Sequence, residues 1–332
     1  MKDIRYLTDH YDEKIKRIND FGAPLNFVFI TDPHNREHCP LPLDQWAQGE
    51  GNFELAADHI RSIQYILDRC PGISCVVSGG DLGKYTTDPV MTRAANQEVL
   101  DALYSLSVPV HCCIGNHDSS EWLVENPVCE EDAILPEELH DLCMKYNPTQ
   151  ENYYYTDFPE AGYRFIFLNS CDRPYRRDAE GHMIMDYPLE ISNRQANWLE
   201  KEALTTEKKI IVFSHAPVSN EHLFGTVGRG GGYVRSHDDT LNSSRVWTAL
   251  ASCPKVSALI HGHVHYDNIL YRDRMVVVTT LSSYADMWAP SCPPREYGTI
   301  TETAFDVFSI KGNLMKITRF GAGCDRMATL LR

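Results

Sequence analysis

The sequence lacks a long apolar run and a paired-cysteine motif. No segment approaches the ~18 consecutive apolar residues of a membrane-spanning helix, and the N-terminus has no apolar signal core. We therefore expect a cytoplasmic protein that has no membrane partner. The 11 cysteines are scattered without a Cys-x-x-Cys pair, and Cys75, Cys112 and Cys113 lie in strand-like runs. This pattern favours reduced, buried thiols over a zinc or redox motif.

Positive charge is also scarce. The chain has 31 Lys and Arg residues against 46 Asp and Glu residues, a formal net charge of -15. Such a balance disfavours binding to nucleic-acid phosphates or anionic lipids, so nucleic acid is not an expected partner, and we predict no protein partner either.

Repeats, low-complexity tracts and linkers are absent too, while 43% apolar residues suffice for a packed core. We predict a single domain over residues 1–332. Apolar positions at three- and four-residue steps predict a helix within residues 1–24 that packs on the core. Residues 300–332 are predicted to add strands that complete a sheet.

Between these ends, strand-like and helix-like segments alternate. Apolar runs at 27–30, 73–77 and 108–114 are separated by helical patterns, whereas 153–168 resembles a hairpin and the end of the chain an antiparallel run. This order predicts an α/β fold with two mixed sheets packed face to face and helices outside.

Five of the apolar strands end in polar clusters rich in metal-ligand residue types. The first two clusters contain Asp32 and His34, and then Asp81 after two glycines. On an extended backbone, residues two apart point the same way, so Asp32 and His34 could bind one ion. The Asp81 carboxylate, with two oxygens, could bridge two ions. Taken alone, each cluster is also compatible with an ordinary turn.

The third cluster, Gly115-Asn116-His117-Asp118, is more specific. Asn116 offers a neutral oxygen ligand, His117 a proton donor, and Asp118 a carboxylate that could hold the His117 imidazole. A local turn would explain the Asn and Asp but not the His between them.

The last two clusters supply histidines. His215 follows the run 210–213, and His263 and His265 lie two apart after 258–260. A single strand-end His is more often a core side chain, but three histidines in five residues favour a metal role. His261 falls outside the two-residue spacing, and we expect it to be structural.

In this order the five clusters, within residues 26–265, resemble the signature of the calcineurin-like metallophosphoesterase family. The resemblance implies a four-layer α/β/β/α sandwich and a dimetal centre. One ion would be held by Asp32, His34 and His265, the other by Asn116, His215 and His263, with Asp81 bridging. His117 matches the family's proton donor and Asp118 the acid that orients it.

The implied activity is hydrolysis of a phosphoester by a water that bridges the two ions, with His117 as general acid. The ligand types accept Mn, Fe, Zn or Ni, so the identity of the metal stays open. A small phosphodiester or nucleotide-like substrate is favoured. The alternatives are a phosphomonoester substrate and a scaffold that binds metal without catalysis.

A different hydrolase family also has a partial match. The series His263-Val264-His265-Tyr266-Asp267 fits the His-x-His-x-Asp pattern of metallo-β-lactamase-like enzymes, but Asn268 stands where a further His is expected. Lys84 departs from the calcineurin-like pattern, and Tyr85 and Thr86 occupy the region where protein phosphatases have an arginine. A protein phosphatase is therefore disfavoured.

Substrate choice is expected to depend on long loops between the clusters, at 119–150 and 170–194. The second loop offers side chains for phosphate or base contacts: Arg173, Tyr175, Arg176, Arg177 and Tyr187. The glycine-rich stretch 225–232 is a candidate lid.

Overall fold

The fold is seen in a computed structural model. It describes residues 3–35, 56–83, 89–119, 134–172, 176–177, 179–180, 183–184, 189–218, 241–283, 293–296 and 298–331. The helices are α1 (Arg5–Thr8), α2 (Asp12–Phe21), α3 (Ala56–Leu67), α4 (Pro89–Tyr104), α5 (Pro136–Cys143), α6 (Asn193–Trp198) and α7 (Leu241–Ser252).

Most of the strands belong to two sheets of six strands each. In chain order, the strands of the described residues are β1 (Leu25–Ile30), β2 (Ile73–Ser78), β3 (Val110–Cys112), β4 (Tyr154–Phe158), β5 (Tyr163–Leu168), β6 (Arg176–Arg177), β7 (Met183–Ile184), β8 (Lys209–Ser214), β9 (Val256–His261), β10 (Asn268–Arg272), β11 (Met275–Thr279), β12 (Ala304–Lys311), β13 (Leu314–Gly321) and β14 (Arg326–Thr329). The short pair β6 and β7 forms a separate ribbon.

Both large sheets are mixed. The first has the order β14-β13-β12-β1-β2-β3, in which β1, β2 and β3 are parallel and β12 is antiparallel to β1. The second has the order β10-β11-β9-β8-β5-β4, with β5, β8, β9 and β11 parallel. Helices α3, α4 and α7 each follow one parallel strand and precede the next, which is the connection that parallel pairing requires.

The main core lies between the sheets. Alternate residues of β5 point to opposite faces: Phe165 and Phe167 join the core that contains Phe27 of β1, whereas Ile166 and Leu168 join a second apolar cluster under α6 and α7. The ring centroids of Phe27 and Phe165 are 4.9 Å apart across the interface between the sheets. The predicted sandwich of two mixed sheets with helices outside is confirmed.

The N-terminal helix is broken, which corrects the sequence prediction. Two helices, α1 and α2, replace the single predicted one, and they meet at a turn just before Asp12. The expected apolar face is nevertheless buried, because Leu7, Tyr11 and Ile15 all pack into the core. At the turn, the Tyr11 ring makes an edge-to-face contact with the Phe320 ring, with the centroids 4.7 Å apart. This contact with β13 is not encoded by any local pattern.

Within the described residues, no helix is long and apolar enough to cross a membrane. All eight cysteines of this part of the chain are free thiols, and five of them are buried. Burial raises the pKa of Cys75 and Cys112, which keeps them in the uncharged thiol form.

His111 in β3 provides a test of the core. Its ring stacks on Phe167 at 5.0 Å, its Nδ1 lies 2.9 Å from the Tyr154 hydroxyl oxygen, and burial lowers its pKa to about 4. Between pH 6.5 and 4 the unfolded chain therefore binds a proton that the folded chain does not. We expect His111 to make unfolding easier by about 3 kcal/mol as the pH falls through this window.

The measurement is denaturant unfolding of the wild type and of His111→Gln at pH 7 and at pH 4. The variant cannot take up this proton, so it should lose less stability than the wild type over the same interval. Equal losses in both proteins would show that His111 does not titrate in this way.

Candidate metal centre

The predicted ligands come together where parallel strands of both sheets end. Asp32 follows β1, Asp81 follows β2 and Asn116 follows β3, all in the first sheet. His215 follows β8 and His263 follows β9 in the second sheet. Because the carboxyl ends of parallel strands share one edge, the loops converge there.

The first group of ligand atoms comprises Asp32, His34, Asp81 and His265, all within 4.8 Å of one another. The Nε2 atoms of His34 and His265 are 3.2 Å apart, and His265 Nε2 is 3.1 Å from Asp32 Oδ1. His34 Nε2 lies 3.6 Å from Asp81 Oδ2. Four ligand atoms thus surround a volume of the size of one ion.

The second group comprises Asp81, His215 and His263. His215 Nε2 lies 3.3 Å from Asp81 Oδ2 and 3.2 Å from His263 Nδ1. The amide oxygen of Asn116 joins this group at 3.0 Å from His215 Nε2. Asp81 belongs to both groups, so its carboxylate lies between two possible ion positions.

The chemistry of the donor atoms fits divalent transition metals. His215 Nδ1 lies 2.8 Å from the carbonyl oxygen of Gly79, and since a carbonyl can only accept, this nitrogen carries the proton. Nε2, which lies beside Asp81 and His263, is then the nitrogen that would bind an ion once it loses its own proton. Imidazole nitrogens, carboxylates and an amide oxygen held at 3–4 Å from one another form a donor set that suits two such ions.

The backbone at the predicted ligands is strained. Among the described residues, seven that are not glycine have positive φ, and five of them are predicted ligands: Asp32 (51°), His34 (42°), Asp81 (54°), His263 (64°) and His265 (56°). The left-handed region costs an L-residue about 1–2 kcal/mol, and such strain concentrates at functional sites.

This strain corrects one step of the sequence interpretation. Asp32 and His34 do face the same point, but the segment is not extended as we predicted. It turns through two left-handed residues and is held by backbone bonds from Asp32 N to Gly80 O and from His34 N to Asp81 O. The segment after β1 thus takes its conformation from hydrogen bonds to the loop after β2, a tertiary contact that the local sequence does not encode.

The two carboxylates of the cluster and His215 stabilise one another's charges. Burial alone would raise the pKa values of Asp32 and Asp81, but the surrounding histidines lower both below the usual range. Burial likewise lowers the pKa of His215, but the charges of Asp81 and Asp32 outweigh it and raise the value to about 9. Both carboxylates are therefore charged at neutral pH and available to metal ions.

Two glycines make the close approach of the loops possible. A Cβ on Gly115 would lie 2.2 Å from both N and Oδ1 of Asp81, and one on Gly262 would lie 2.3 Å from Asp32 Oδ2. Each glycine is thus in contact with a carboxylate that belongs to a ligand group.

Gly115→Ala is expected to displace Asp81 and so to reduce metal binding and activity at least about tenfold, because 1.4 kcal/mol of misplacement already has that effect. Metal content after gel filtration checks this. Gly72→Ala is the matched control, since its Cβ would meet only Asn26 Nδ2 at an ordinary 3.5 Å. Equal metal content in the two variants would contradict the prediction.

His117 stands beside the two groups rather than within them. Its Nε2 lies 3.8 Å from Asp81 Oδ2, and its side chain is 14% exposed, compared with 4% for His34 and 0% for His215. Its backbone N–H donates to Asp81 Oδ1 at 2.8 Å. The imidazole is therefore close to the centre and still open to solvent.

Asp118 accepts hydrogen bonds from two backbone groups that the sequence did not indicate. Its two carboxylate oxygens accept hydrogen bonds from the backbone N–H groups of Leu82 and Gly115, each at 2.7 Å. Burial and the charge of Asp81 raise its pKa to about 7. Asp118 thus ties the loop after β2 to the loop after β3, and its role as the acid that orients the His117 ring stays a prediction.

Several residues that the sequence did not single out support these loops. The Asn96 amide donates to the Asp118 carbonyl and accepts from Gly83 N. The Ser282 hydroxyl donates to the Asp32 carbonyl at 2.7 Å, and the Thr31 hydroxyl donates to Asp32 Oδ2 at 2.5 Å. Single Asn, Ser and Thr residues carry no sequence signal for such roles.

The remaining candidates fall outside the cluster or outside the described residues. His261 is buried at the end of β9, and burial lowers its pKa to about 4. Asp267, the acid of the His-x-His-x-Asp pattern, accepts from Arg319 at 2.7 Å and belongs to neither ligand group. No structure is described for Lys84, Arg173, Tyr175, Tyr187, residues 225–232 or the side chains of Arg176 and Arg177.

Comparison with protein families decides the classification. The model of the calcineurin-like phosphoesterase family matches residues 25–267, well over half of the chain. The chain belongs to the calcineurin-like phosphoesterase family. The matched range contains all seven predicted ligands as well as His117, in agreement with the resemblance noted from the motifs. A search of curated protein sequences finds no match.

Solved structures share the fold of this phosphoesterase at low identity. A dimetal phosphatase from Danio rerio is 18% identical with a TM-score of 0.62, covering 93% of this chain and 99% of its own. The anchor protein of the Plasmodium inner membrane complex is 15% identical with a TM-score of 0.53, covering 92% and 88%. A purple acid phosphatase from yellow lupin is 13% identical with a TM-score of 0.50, covering 92% and 53%.

Proposed function

We propose that this member of the calcineurin-like phosphoesterase family hydrolyses small phosphoesters with two divalent transition-metal ions, Mn, Fe, Zn or Ni. The observation that carries the proposal is the shared position of Asp81, whose carboxylate belongs to both groups of ligand atoms. A single structural ion would not require two groups that meet at one carboxylate.

Each ion would have its own set of ligands in addition to Asp81. Asp32, His34 and His265 would hold one ion, and Asn116, His215 and His263 the other. When bound, a pair of divalent cations supplies Lewis acidity, which lowers the pKa of water and neutralises charge on the phosphoryl oxygens. The two carboxylates balance part of the ionic charge, and the Gly79 carbonyl fixes the proton of His215 on Nδ1.

His117 is the proposed general acid. It would hold a proton on Nε2, the ring nitrogen that lies 3.8 Å from Asp81, and donate it to the leaving oxygen of the ester. Its partial exposure allows the ring to be reprotonated from solvent after each turnover. Asp118 would act on the same step indirectly, since it holds the backbone on both sides of the centre.

The substrate is proposed to be a small phosphodiester or a nucleotide-like ester. The net charge of -15 opposes the approach of a long polyanion such as nucleic acid, whereas a small ester meets the local charge of the bound ions. A phosphomonoester substrate is the alternative within the same chemistry.

A metal-binding scaffold is the second candidate, because the similar Plasmodium protein is described as an anchor and fold alone does not fix activity. The full ligand set together with His117 favours the enzyme.

The test is elemental analysis and hydrolysis of a panel of esters on one purified sample. We expect about two metal ions per chain and faster turnover of an aryl phosphodiester after addition of Mn²⁺ or Ni²⁺. Bound metal with no turnover across monoesters and diesters would favour the scaffold, and absence of bound metal would refute both candidates.

A further inference from the structure

The turn that carries His263 and His265 ends in a partly buried ion-pair network. Asp267 follows His265 by two residues, and its Oδ1 accepts from the Leu281 backbone N–H at 3.0 Å. The same oxygen lies 2.7 Å from Arg319 Nη2 and 3.0 Å from Arg326 Nη1. One carboxylate oxygen therefore binds a backbone N–H and two guanidinium groups.

The two arginines come from β13 and β14, beyond the range that the family model matches. Arg319 is 0% exposed and donates to both oxygens of Asp306, at 2.8 and 3.0 Å, and to the carbonyl of Ala322. Arg326 also binds Asp306 and donates to the carbonyl of Thr279 at 2.9 Å. Two acids and two guanidinium groups thus form a charge-balanced network that joins three strands of the first sheet to Asp267, which lies just before β10 of the second sheet.

The ligand turn depends on such an anchor for a backbone reason. His263 and His265 both have positive φ, which costs an L-residue about 1–2 kcal/mol at each position. Strained residues keep this conformation only when their surroundings determine it. On one side, His263 N donates to Asp32 Oδ2 at 3.0 Å. On the other side, two residues after His265, the Asp267 carboxylate binds Leu281 N, Arg319 and Arg326.

We propose that Asp267, which is bound by Arg319 and Arg326, is a positioning residue that holds His265 in its metal-binding geometry. This inference rests on the proposed dimetal function. It makes the C-terminal strands part of the metal site, although they supply no ligand to either group. It also assigns a role to the acid of the His-x-His-x-Asp series, which binds arginine here.

The proposal predicts an unequal effect on the two ions. His263 has the independent anchor on Asp32, whereas His265 lies next to the Asp267 anchor. Loosening Asp267 should therefore weaken mainly the group of Asp32, His34, Asp81 and His265.

The experiment uses Asp267→Asn, which keeps the shape of the side chain and removes its charge. Metal-free protein is titrated with Mn²⁺ by calorimetry, and the coupled two-manganese signal is followed by electron paramagnetic resonance. We expect one Mn²⁺ dissociation constant to rise about 10–100-fold while the other changes little, because groups that orient metal ligands have effects of this size. The coupled signal should give way to that of isolated Mn²⁺.

The matched control is Asp157→Asn. Asp157 pairs with Arg164 at 2.7 Å in the hairpin of β4 and β5, at the end of β5 away from the ligand loops. Loss of this pair should lower thermal stability and leave both Mn²⁺ constants unchanged. Equal loss of Mn²⁺ affinity in the two variants would assign the effect to general destabilisation and overturn the proposal.

A second variant and a second readout guard against misfolding. Arg326→Lys keeps the charge but loses one of the two guanidinium contacts with Asp267, and it should raise the same dissociation constant by a smaller factor. Hydrogen exchange at residues 262–267 of the metal-free Asp267→Asn protein should be faster than in the wild type. Wild-type affinities and exchange in these variants would overturn the proposal, whereas failure of the wild type to bind two ions would instead refute the dimetal function.

Discussion

His117→Ala is expected to lower the turnover number about 10²–10⁴-fold, the usual contribution of a general acid, while both metal ions remain bound. Metal content should persist because His117 binds Asp81 through its backbone N–H, which the substitution leaves in place. Turnover number and metal content, measured on the same preparation, check both parts.

The leaving group of the ester provides a sharper measurement. An acidic leaving group such as nitrophenol departs without a proton, so the variant should lose much less activity on a nitrophenyl ester than on an alkyl ester. His10→Ala, at an exposed position in the turn after α1, is the control and should behave as the wild type. An equal loss on both esters would refute the role of general acid. If the variant instead loses metal, and its rate falls no further than that loss explains, His117 is a structural residue.

Asp81→Asn is expected to have the largest effect of any single substitution. An amide lacks the charge and the second ligand oxygen, so the two groups of atoms would lose the carboxylate they share. We expect at most one ion per chain. The rate should fall about a thousandfold or more, since the charge stabilisation supplied by metal ions is worth several kcal/mol.

Thermal unfolding gives an independent check on Asp81. Added metal should raise the melting temperature of the wild type because it binds only the folded state, and this rise should largely disappear in the variant. Asp20→Asn is the control, since Asp20 pairs with Lys16 on the exposed side of α2. Full metal-induced stabilisation of Asp81→Asn would contradict the bridging position.

The strand-end clusters were visible in the sequence because ligand residues of recognisable type follow apolar runs. The runs before Asp32, Asp81 and His215 all became central parallel strands. A strand that is buried on both faces needs a continuous apolar run, and such a run can be recognised locally in the sequence. The short edge strand β14 lies within the range 300–332 that was predicted to add strands, but its four residues form no apolar run that would mark its bounds.

Local patterns failed where distant contacts decide the geometry. The partners of Asp118 are Leu82 N and Gly115 N, and only the assembled sheet brings Leu82 to that position. The positive φ values of Asp32 and His34 likewise depend on backbone bonds to the loop after β2. In both cases the sequence indicated the residue type, but not the backbone conformation of Asp32 and His34 or the backbone partners of Asp118.

By itself, the sequence determined the classes of side chain available for chemistry, their order along the chain, and the alternation of apolar segments that builds two covered sheets. Only the tertiary structure decided that Asp81 lies between two groups of ligands, and that Arg319 and Arg326 reach Asp267 from the far end of the chain. The reason is physical: periodicity records which face of a segment is buried, whereas distances between loops follow from how the two sheets pack, and that packing is a property of the whole core.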